Sequence, residues 1–230
     1  MKRSTWESSA LGSGLVAGII QIAAFIVFGA TAAPRMPPLH APPAEHAAFY
    51  AQAWEPISVA NYLYLLPIPF FLLFLGGLDS LMRRTISSSV PRTAALASGT
   101  ALCLAWAGGI IVAHTGQSLA RLGLDSGTVV GFDSVAQYAL AMSGFPRTTF
   151  LVAASMLLFD ACSWRWTGWT GIGLAALSLV STATLVAPEL YPLAALSVVA
   201  FNVWLVGTSS LLILNSAHVQ APGRQPLSAC

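Results

Sequence analysis

The residues best suited to chemistry in this chain are a few acids and amides that lie within or beside apolar runs. Asp79, Asp160 and Asn215 stand at the centre of three similar triplets, LDS, FDA and LNS. Polar residues in such positions are typical of an ion or proton pathway. Local pairing is the alternative, because Arg83 follows Asp79 by four residues and Arg165 follows Asp160 by five. We favour local pairing and expect both acids at helix ends.

Three amides, Gln21, Asn61 and Asn202, interrupt apolar runs farther from charged residues. A buried amide can hydrogen-bond across a helix interface, which stabilises helix association by about 0.6–2 kcal/mol. Packing is therefore the favoured role, and lining a solute pathway is the alternative. The residues of such a polar pathway would be Asp79, Asp160, Asn215, Asn61 and Asn202.

A separate set of side chains has the chemistry of metal ligands. It consists of Met36, His40, Glu45, His46 and His114. Imidazole, thioether and carboxylate groups bind copper and other divalent metals. No His-x3-His or related spacing specifies a coordination geometry, and the three cysteines form no CxxC pair. We therefore predict no cofactor, and a membrane metal or redox site is the weaker alternative.

Sequence motifs of enzymes and channels are absent. The chain has no Walker A loop, GxSxG, HExxH or TVGYG sequence, and it has no arginine-rich voltage sensor. This absence favours a protein that is not an enzyme.

The composition decides the class of protein that must position these residues. Hydrophobic residues make up 56% of the 230 residues and charged residues only 8%, where soluble proteins carry about 25% charged residues. The mean hydropathy is +0.74, and the net charge of +2 arises from ten basic and eight acidic residues. A soluble domain, a disordered chain and a nucleic-acid binder are all excluded. The composition indicates a multi-pass membrane protein whose first partner is the lipid bilayer.

The apolar runs predict an all-α bundle of six transmembrane helices in one domain covering residues 1–230. A helix needs about 20 apolar residues to cross the hydrocarbon core. The predicted spans cover residues 11–33, 57–79, 93–115, 147–165, 167–187 and 191–215. Pro67 and Pro69 should kink the second span, since proline lacks the N–H of the helical ladder.

The fourth span is the hardest to place because Arg147 interrupts the run. An arginine at mid-bilayer costs about 2.5–3.5 kcal/mol. We therefore expect Arg147 at the start of the span, where it can extend to the interface. Residues 128–144 would then form an outer helix, lying in the interface or folded onto the bundle. Its expected apolar face contains Phe132, Val135, Tyr138, Ala139 and Met142, and its polar face contains Asp133, Ser134 and Gln137. A kinked seventh span through Pro146 is the rival arrangement.

The distribution of lysine and arginine predicts that both termini are cytoplasmic. Positive residues concentrate on the cytoplasmic side of bacterial membrane proteins. The cytoplasmic side would receive Lys2, Arg3, Arg83, Arg84, Arg92, Arg165 and Arg224. The outside would receive Arg35, Arg121 and Arg147. Seven cations against three favour this orientation in a bacterial inner (plasma) membrane.

The layout is similar to that of an uncharacterised family of bacterial six-helix membrane proteins, known only as a domain of unknown function. The resemblance rests on the glycine-bearing segment LGSGLVAGIIQIAAF, a long outer loop, and the segment NYLYLLPIPFFLLFLGGL before a basic loop. It implies a six-helix membrane fold and no established activity.

Two main functions are compatible with these observations. The first is a non-enzymatic accessory or partner-binding component of a membrane assembly, in contact with other membrane subunits or with copies of itself. The second is a small-solute or ion transporter. Short loops and the lack of a soluble domain favour the first, and the polar residues inside the spans favour the second.

Overall fold

The computed structural model describes residues 5–38, 41–160 and 165–220, with side chains for 6–38, 41–159 and 165–214. The apolar runs form helices, which satisfy their own backbone hydrogen bonds where water is excluded. The helices are α1 (Thr5–Thr31), α2 (Pro43–Gln52), α3 (Trp54–Leu65), α4 (Pro67–Thr85), α5 (Ser89–Arg121), α6 (Ser126–Met142), α7 (Gly144–Asp160), α8 (Arg165–Ser181) and α9 (Tyr191–Gln220). Short 3-10 turns cover Ala33–Arg35, Thr182–Leu185 and Pro188–Leu190.

Within the described residues, six helical stretches are long and apolar enough to cross a membrane, as the sequence predicted. They are Trp6–Arg35, Trp54–Thr85, Ser89–Arg121, Ser126–Phe159, Arg165–Leu185 and Pro188–Leu214. The second stretch consists of α3 and α4, which meet at Leu66. Pro67 is the first residue of α4, so the division lies beside the prolines that were expected to disturb this span.

Successive long stretches run antiparallel, which gives the bundle two ends. Ser80 of α4 hydrogen-bonds Glu7 of α1, whereas Gln117 of α5 bonds Asn61 of α3. We call these ends the Asp79 end and the His114 end. α1 and α9 are in close contact, because a Cβ atom at Gly18 would lie 2.6 Å from Val206 Cγ2.

An aromatic cluster, defined as Phe71, Trp106, Phe150 and Phe201, fills the middle of the bundle. The Phe71 ring centroid lies 5.7 Å from that of Trp106 and 5.5 Å from that of Phe150. The Phe201 centroid lies 6.1 Å from that of Trp106 and 6.0 Å from that of Phe150. The three phenylalanines are fully buried. The cluster joins α4, α5, α7 and α9 in a solid layer.

The segment expected as a separate interfacial helix over residues 128–144 is the first half of the fourth membrane-length stretch. α6 runs antiparallel along α5, since Phe132 packs beside Gly116 and Ala139 beside Gly109. Its apolar residues Val135, Tyr138 and Met142 face outward, with 53%, 46% and 55% of their surface exposed. Its polar residues Asp133 and Gln137 face the bundle interior. In a helix at a membrane surface the polar face meets water. In α6 the polar face points into the bundle and the apolar face points outward.

The expectation that Arg147 extends to an interface is wrong, because its side chain is completely buried. α7 begins three residues earlier, at Gly144. Arg147 Nε donates to Ser178 Oγ at 3.1 Å and its Nη2 donates to Ser197 Oγ at 2.8 Å. The lipid-exposure penalty does not apply to a guanidinium that is enclosed by protein hydroxyl groups.

Candidate functional site

A cavity of about 360 Å³ lies between α1, α3, α5, α6 and α9, toward the His114 end. Along α5 its lining extends from Ala105 to Gln117, a rise of about 18 Å. Ala105 is the middle residue of α5, so the cavity reaches from one end of the bundle to its centre. The volume falls within the range of about 300–1,000 Å³ that is typical of small-molecule sites. Most of the lining is apolar or aromatic, with a few polar groups.

The acidic group of the cavity is Asp133 of α6. The Tyr50 hydroxyl of α2 donates a hydrogen bond to Oδ1 at 2.6 Å, and Gln137 Nε2 donates to Oδ2 at 2.9 Å. Burial raises the pKa of Tyr50 above its ordinary value, and the adjacent Asp133 carboxylate raises it further. Tyr50 therefore keeps its proton and serves as a donor. Both carboxylate oxygens of Asp133 therefore accept a hydrogen bond from an uncharged side chain.

An amide pair forms another part of the wall. Asn61 Nδ2 donates to Gln117 Oε1 at 2.6 Å and lies 3.4 Å from His114 Nδ1. The His114 ring lies against Trp54, with a centroid separation of 5.1 Å. The Arg121 guanidinium carbon lies over the Trp54 ring, 5.2 Å from the ring centroid. These contacts extend from the cavity wall to Arg121, the last residue of α5.

Two polar atoms of residues on the cavity wall have no hydrogen-bond partner within the described part of the chain. They are Gln21 Oε1 and Trp106 Nε1, and both residues line the cavity. The side chains are almost completely buried, with 5% and 7% of their surface exposed. A buried polar group without a partner costs about 1–3 kcal/mol. Neither atom has appreciable accessible surface, so neither is exposed to the cavity in this conformation.

The aromatic cluster closes the cavity at the centre of the bundle. Trp106 belongs both to the cavity wall and to the cluster. Phe71, Phe150 and Phe201 lie beyond it and are fully buried. A solute that enters from the His114 end therefore meets a packed layer of rings before it reaches the Asp79 end.

The structure separates the residues of the predicted polar pathway. Asn61 lines the cavity. Asp79 lies 18 residues along the same span, or about 27 Å away along the helix axis. Its carboxylate oxygens are 2.8 Å from Arg83 Nε and 3.2 Å from Arg92 Nε. Asn202 donates to the Val198 carbonyl of its own helix. The side chains of two further members lie outside the described residues, namely Asp160 and Asn215.

The proposed metal ligands are also dispersed. Met36 lines the cavity, Glu45 lies in a surface groove beside Arg35, and His46 is buried in α2. His114 contacts Asn61, as described above, and His40 lies outside the described residues. Within the described ranges, no group of three or more histidine, cysteine or acidic side chains is placed to hold a metal ion.

Sequence reasoning did not identify the central residues of the cavity, namely Tyr50, Trp106, Gln117 and Asp133. Tyr50 and Asp133 are 83 residues apart, so no local pattern connects them. One signal was present in α6, where Asp133 and Gln137 lie four residues apart and therefore share a helix face. The sequence did not give the direction of that face, and the structure places it in the cavity.

The chain matches no protein-family model, no curated protein and no solved structure. The resemblance to an uncharacterised six-helix family therefore rests only on the layout of the sequence. Function has to be argued from the cavity itself.

Proposed function

We propose that this chain is a multi-pass membrane protein that binds a small solute in the cavity between α1, α3, α5, α6 and α9, and that it serves as a carrier for that solute. The observation that supports the proposal is the form of the cavity. Its lining extends along α5 from Gln117 to Ala105, the middle residue of that helix, where packed rings block it. Carriers expose a site near the middle of the bundle to one side at a time.

The surface of the bundle supports placement in a bilayer. Leu104 and Ile111 on α5 are 69% and 58% exposed, and the apolar face of α6 also points outward. A large apolar surface of this kind is stable when lipid covers it. We further propose the orientation with both termini in the cytoplasm of a bacterial cell, which places the cavity in the outer half of the bundle. This orientation follows from the distribution of lysine and arginine. Three of the residues counted, Lys2, Arg3 and Arg224, lie outside the described residues.

Cysteine labelling in intact cells tests the orientation. The three native cysteines are first replaced by serine, and single cysteines are then introduced at Ser87 and Leu124. These residues lie at the Asp79 end and the His114 end, respectively, and both are exposed. A membrane-impermeant maleimide should label the Leu124→Cys chain and spare the Ser87→Cys chain. The reverse pattern would overturn the orientation and leave the cavity proposal intact.

A cavity-filling variant tests solute binding. Ala113 lies on the cavity wall, and Ala113→Trp should occupy the space that a solute would need. Ala101→Trp is the matched control, because Ala101 lies on the outward face of the same helix. The purified proteins are screened by thermal unfolding against a panel of small cations, anions and neutral solutes. Compounds that raise Tm of the parent chain should also raise that of Ala101→Trp and lose their effect on Ala113→Trp.

The accessory-subunit hypothesis predicts a different outcome. An accessory component should co-purify in a fixed ratio with another membrane protein or with copies of itself. Its thermal stability should be insensitive to every solute of the panel, in the parent chain and in Ala113→Trp alike. That result would contradict the carrier proposal.

A further inference from the structure

We infer that the cavity recognises a small organic cation, with Asp133 as its counter-ion and aromatic rings as its walls. The inference rests on the proposed function, because it names the class of solute that the same cavity would take.

The first argument is charge. Among the described residues that line the cavity, Asp133 alone is charged, and the lining includes no lysine, arginine or histidine. Its two hydrogen-bond donors, Tyr50 and Gln137, are neutral. The negative charge therefore has no cation to balance it inside the cavity. A cationic solute is attracted to such a site, and an anionic solute is repelled by it.

The second argument is the nature of the walls. Phe25 and Tyr64 line the cavity and meet edge to face, with ring centroids 5.1 Å apart. Tyr50, Trp106 and Tyr191 contribute further rings. Aromatic faces attract organic cations, and the attraction is worth about 2 kcal/mol or more when water is excluded. A carboxylate surrounded by rings is therefore suited to an amine or a quaternary ammonium group.

The third argument excludes a bare metal ion. A cation such as Ca²⁺ needs about six to eight oxygen ligands. The cavity offers one carboxylate, and both of its oxygens already accept hydrogen bonds from Tyr50 and Gln137. The remaining volume is bounded mainly by carbon atoms. A solute with an apolar body fills such a space better than a hydrated ion does.

Two probes of the same shape, one charged and one neutral, show how much of the affinity comes from charge. Choline and 3,3-dimethyl-1-butanol differ in one atom, a quaternary nitrogen in the first and a carbon in the second. Equilibrium binding of each is measured on the purified full-length protein. Choline should bind at least tenfold more tightly than the alcohol. Equal affinity for the two probes, or no measurable choline binding, would overturn the inference.

Two substitutions locate the preference in the cavity. Asp133→Asn removes the charge and keeps the shape of the side chain, and choline affinity should fall by about 30-fold or more. Asp125→Asn is the control, because Asp125 is the exposed N-cap residue of the same helix. If Asp133→Asn does not fold, Phe25→Leu removes one ring and should weaken choline binding without affecting the alcohol. Unchanged choline affinity in Asp133→Asn or Phe25→Leu would refute the assignment.

The two proposals can fail separately. If both probes bind equally and Ala113→Trp abolishes binding of each, the cavity is a solute site and the cationic preference is wrong. If Ala113→Trp binds the probes as the parent chain does, the cavity is not the site and both proposals fail.

Discussion

The buried guanidinium of Arg147 allows a quantitative test of how this bundle is stabilised. The side chain makes two hydrogen bonds to Ser178 and Ser197, each worth about 1.5–3 kcal/mol for a charged donor. Nη1 is buried without a partner, and no carboxylate pairs with the group in the described part of the chain. Removing a charge from water costs several kcal/mol. The free energy gained from the two hydrogen bonds and the cost of taking the charge out of water therefore nearly cancel.

Two substitutions at Arg147 should consequently differ in their effect. Arg147→Met retains most of the volume and removes the charge, so the free energy of unfolding should change by less than about 2 kcal/mol. Arg147→Ala leaves a cavity and should lower it by about 3–5 kcal/mol. Ser197 Oγ still donates to the Ala194 carbonyl in both variants, so its hydroxyl keeps a partner.

Reversible unfolding by sodium dodecyl sulfate in mixed micelles measures both free energies. Arg165→Met is the control, because Arg165 is exposed and its replacement should change stability by about 0.5 kcal/mol or less. If Arg147→Met were destabilised as strongly as Arg147→Ala, the guanidinium itself would be the stabilising group and the reasoning would be wrong.

Three further predictions concern other parts of the bundle. Asp79→Asn should lower the free energy of unfolding by about 1 kcal/mol or less, because its ion-pair partners Arg83 and Arg92 are partly exposed. A larger loss would contradict a purely local ion pair. Gly77→Ala should destabilise the α1–α4 contact by about 1–3 kcal/mol, because its Cβ would lie 3.0 Å from Leu11 N. The adjacent Gly76→Ala has open space and should gain up to about 1 kcal/mol, so equal effects of the two in thermal unfolding would contradict the packing. Asp125 caps α6, and the Thr128 N–H lowers its pKa, so Asp125→Ala should lower Tm at neutral pH. That difference should vanish as the pH falls through the depressed pKa, because the capping carboxylate is then protonated.

Hydropathy predicted the number of membrane-length stretches, but not the short helix α2, the bounds of the fourth stretch or the arrangement of the polar side chains. Uncharged runs longer than about 20 residues are a direct signature of a membrane helix, and the structure has six membrane-length stretches. The position predicted for Arg147 was wrong because the prediction assumed that its side chain would face lipid and bear the free-energy cost of a cation there. Its partners Ser178 and Ser197 are 31 and 50 residues away, so no local pattern could reveal that protein would surround it.

The candidate site was only partly visible for the same reason. Asn61 was recognised as a polar residue within a span, and it does line the cavity. Asp133 and Gln137 were recognised as one helix face, but the direction of that face depends on α2, α3 and α5. Tyr50 reaches Asp133 from α2, a helix within a segment that the sequence indicated as a loop. Tertiary contacts of this range decide which polar face meets water and which lines a cavity.

The most direct test of the proposed solute site is an experimental structure of the purified chain in lipid nanodiscs, with non-protein density retained. The proposal predicts density in the cavity between Asp133 and the Trp106 indole. A cavity that is closed by protein side chains, with no non-protein density beside Asp133, would contradict it.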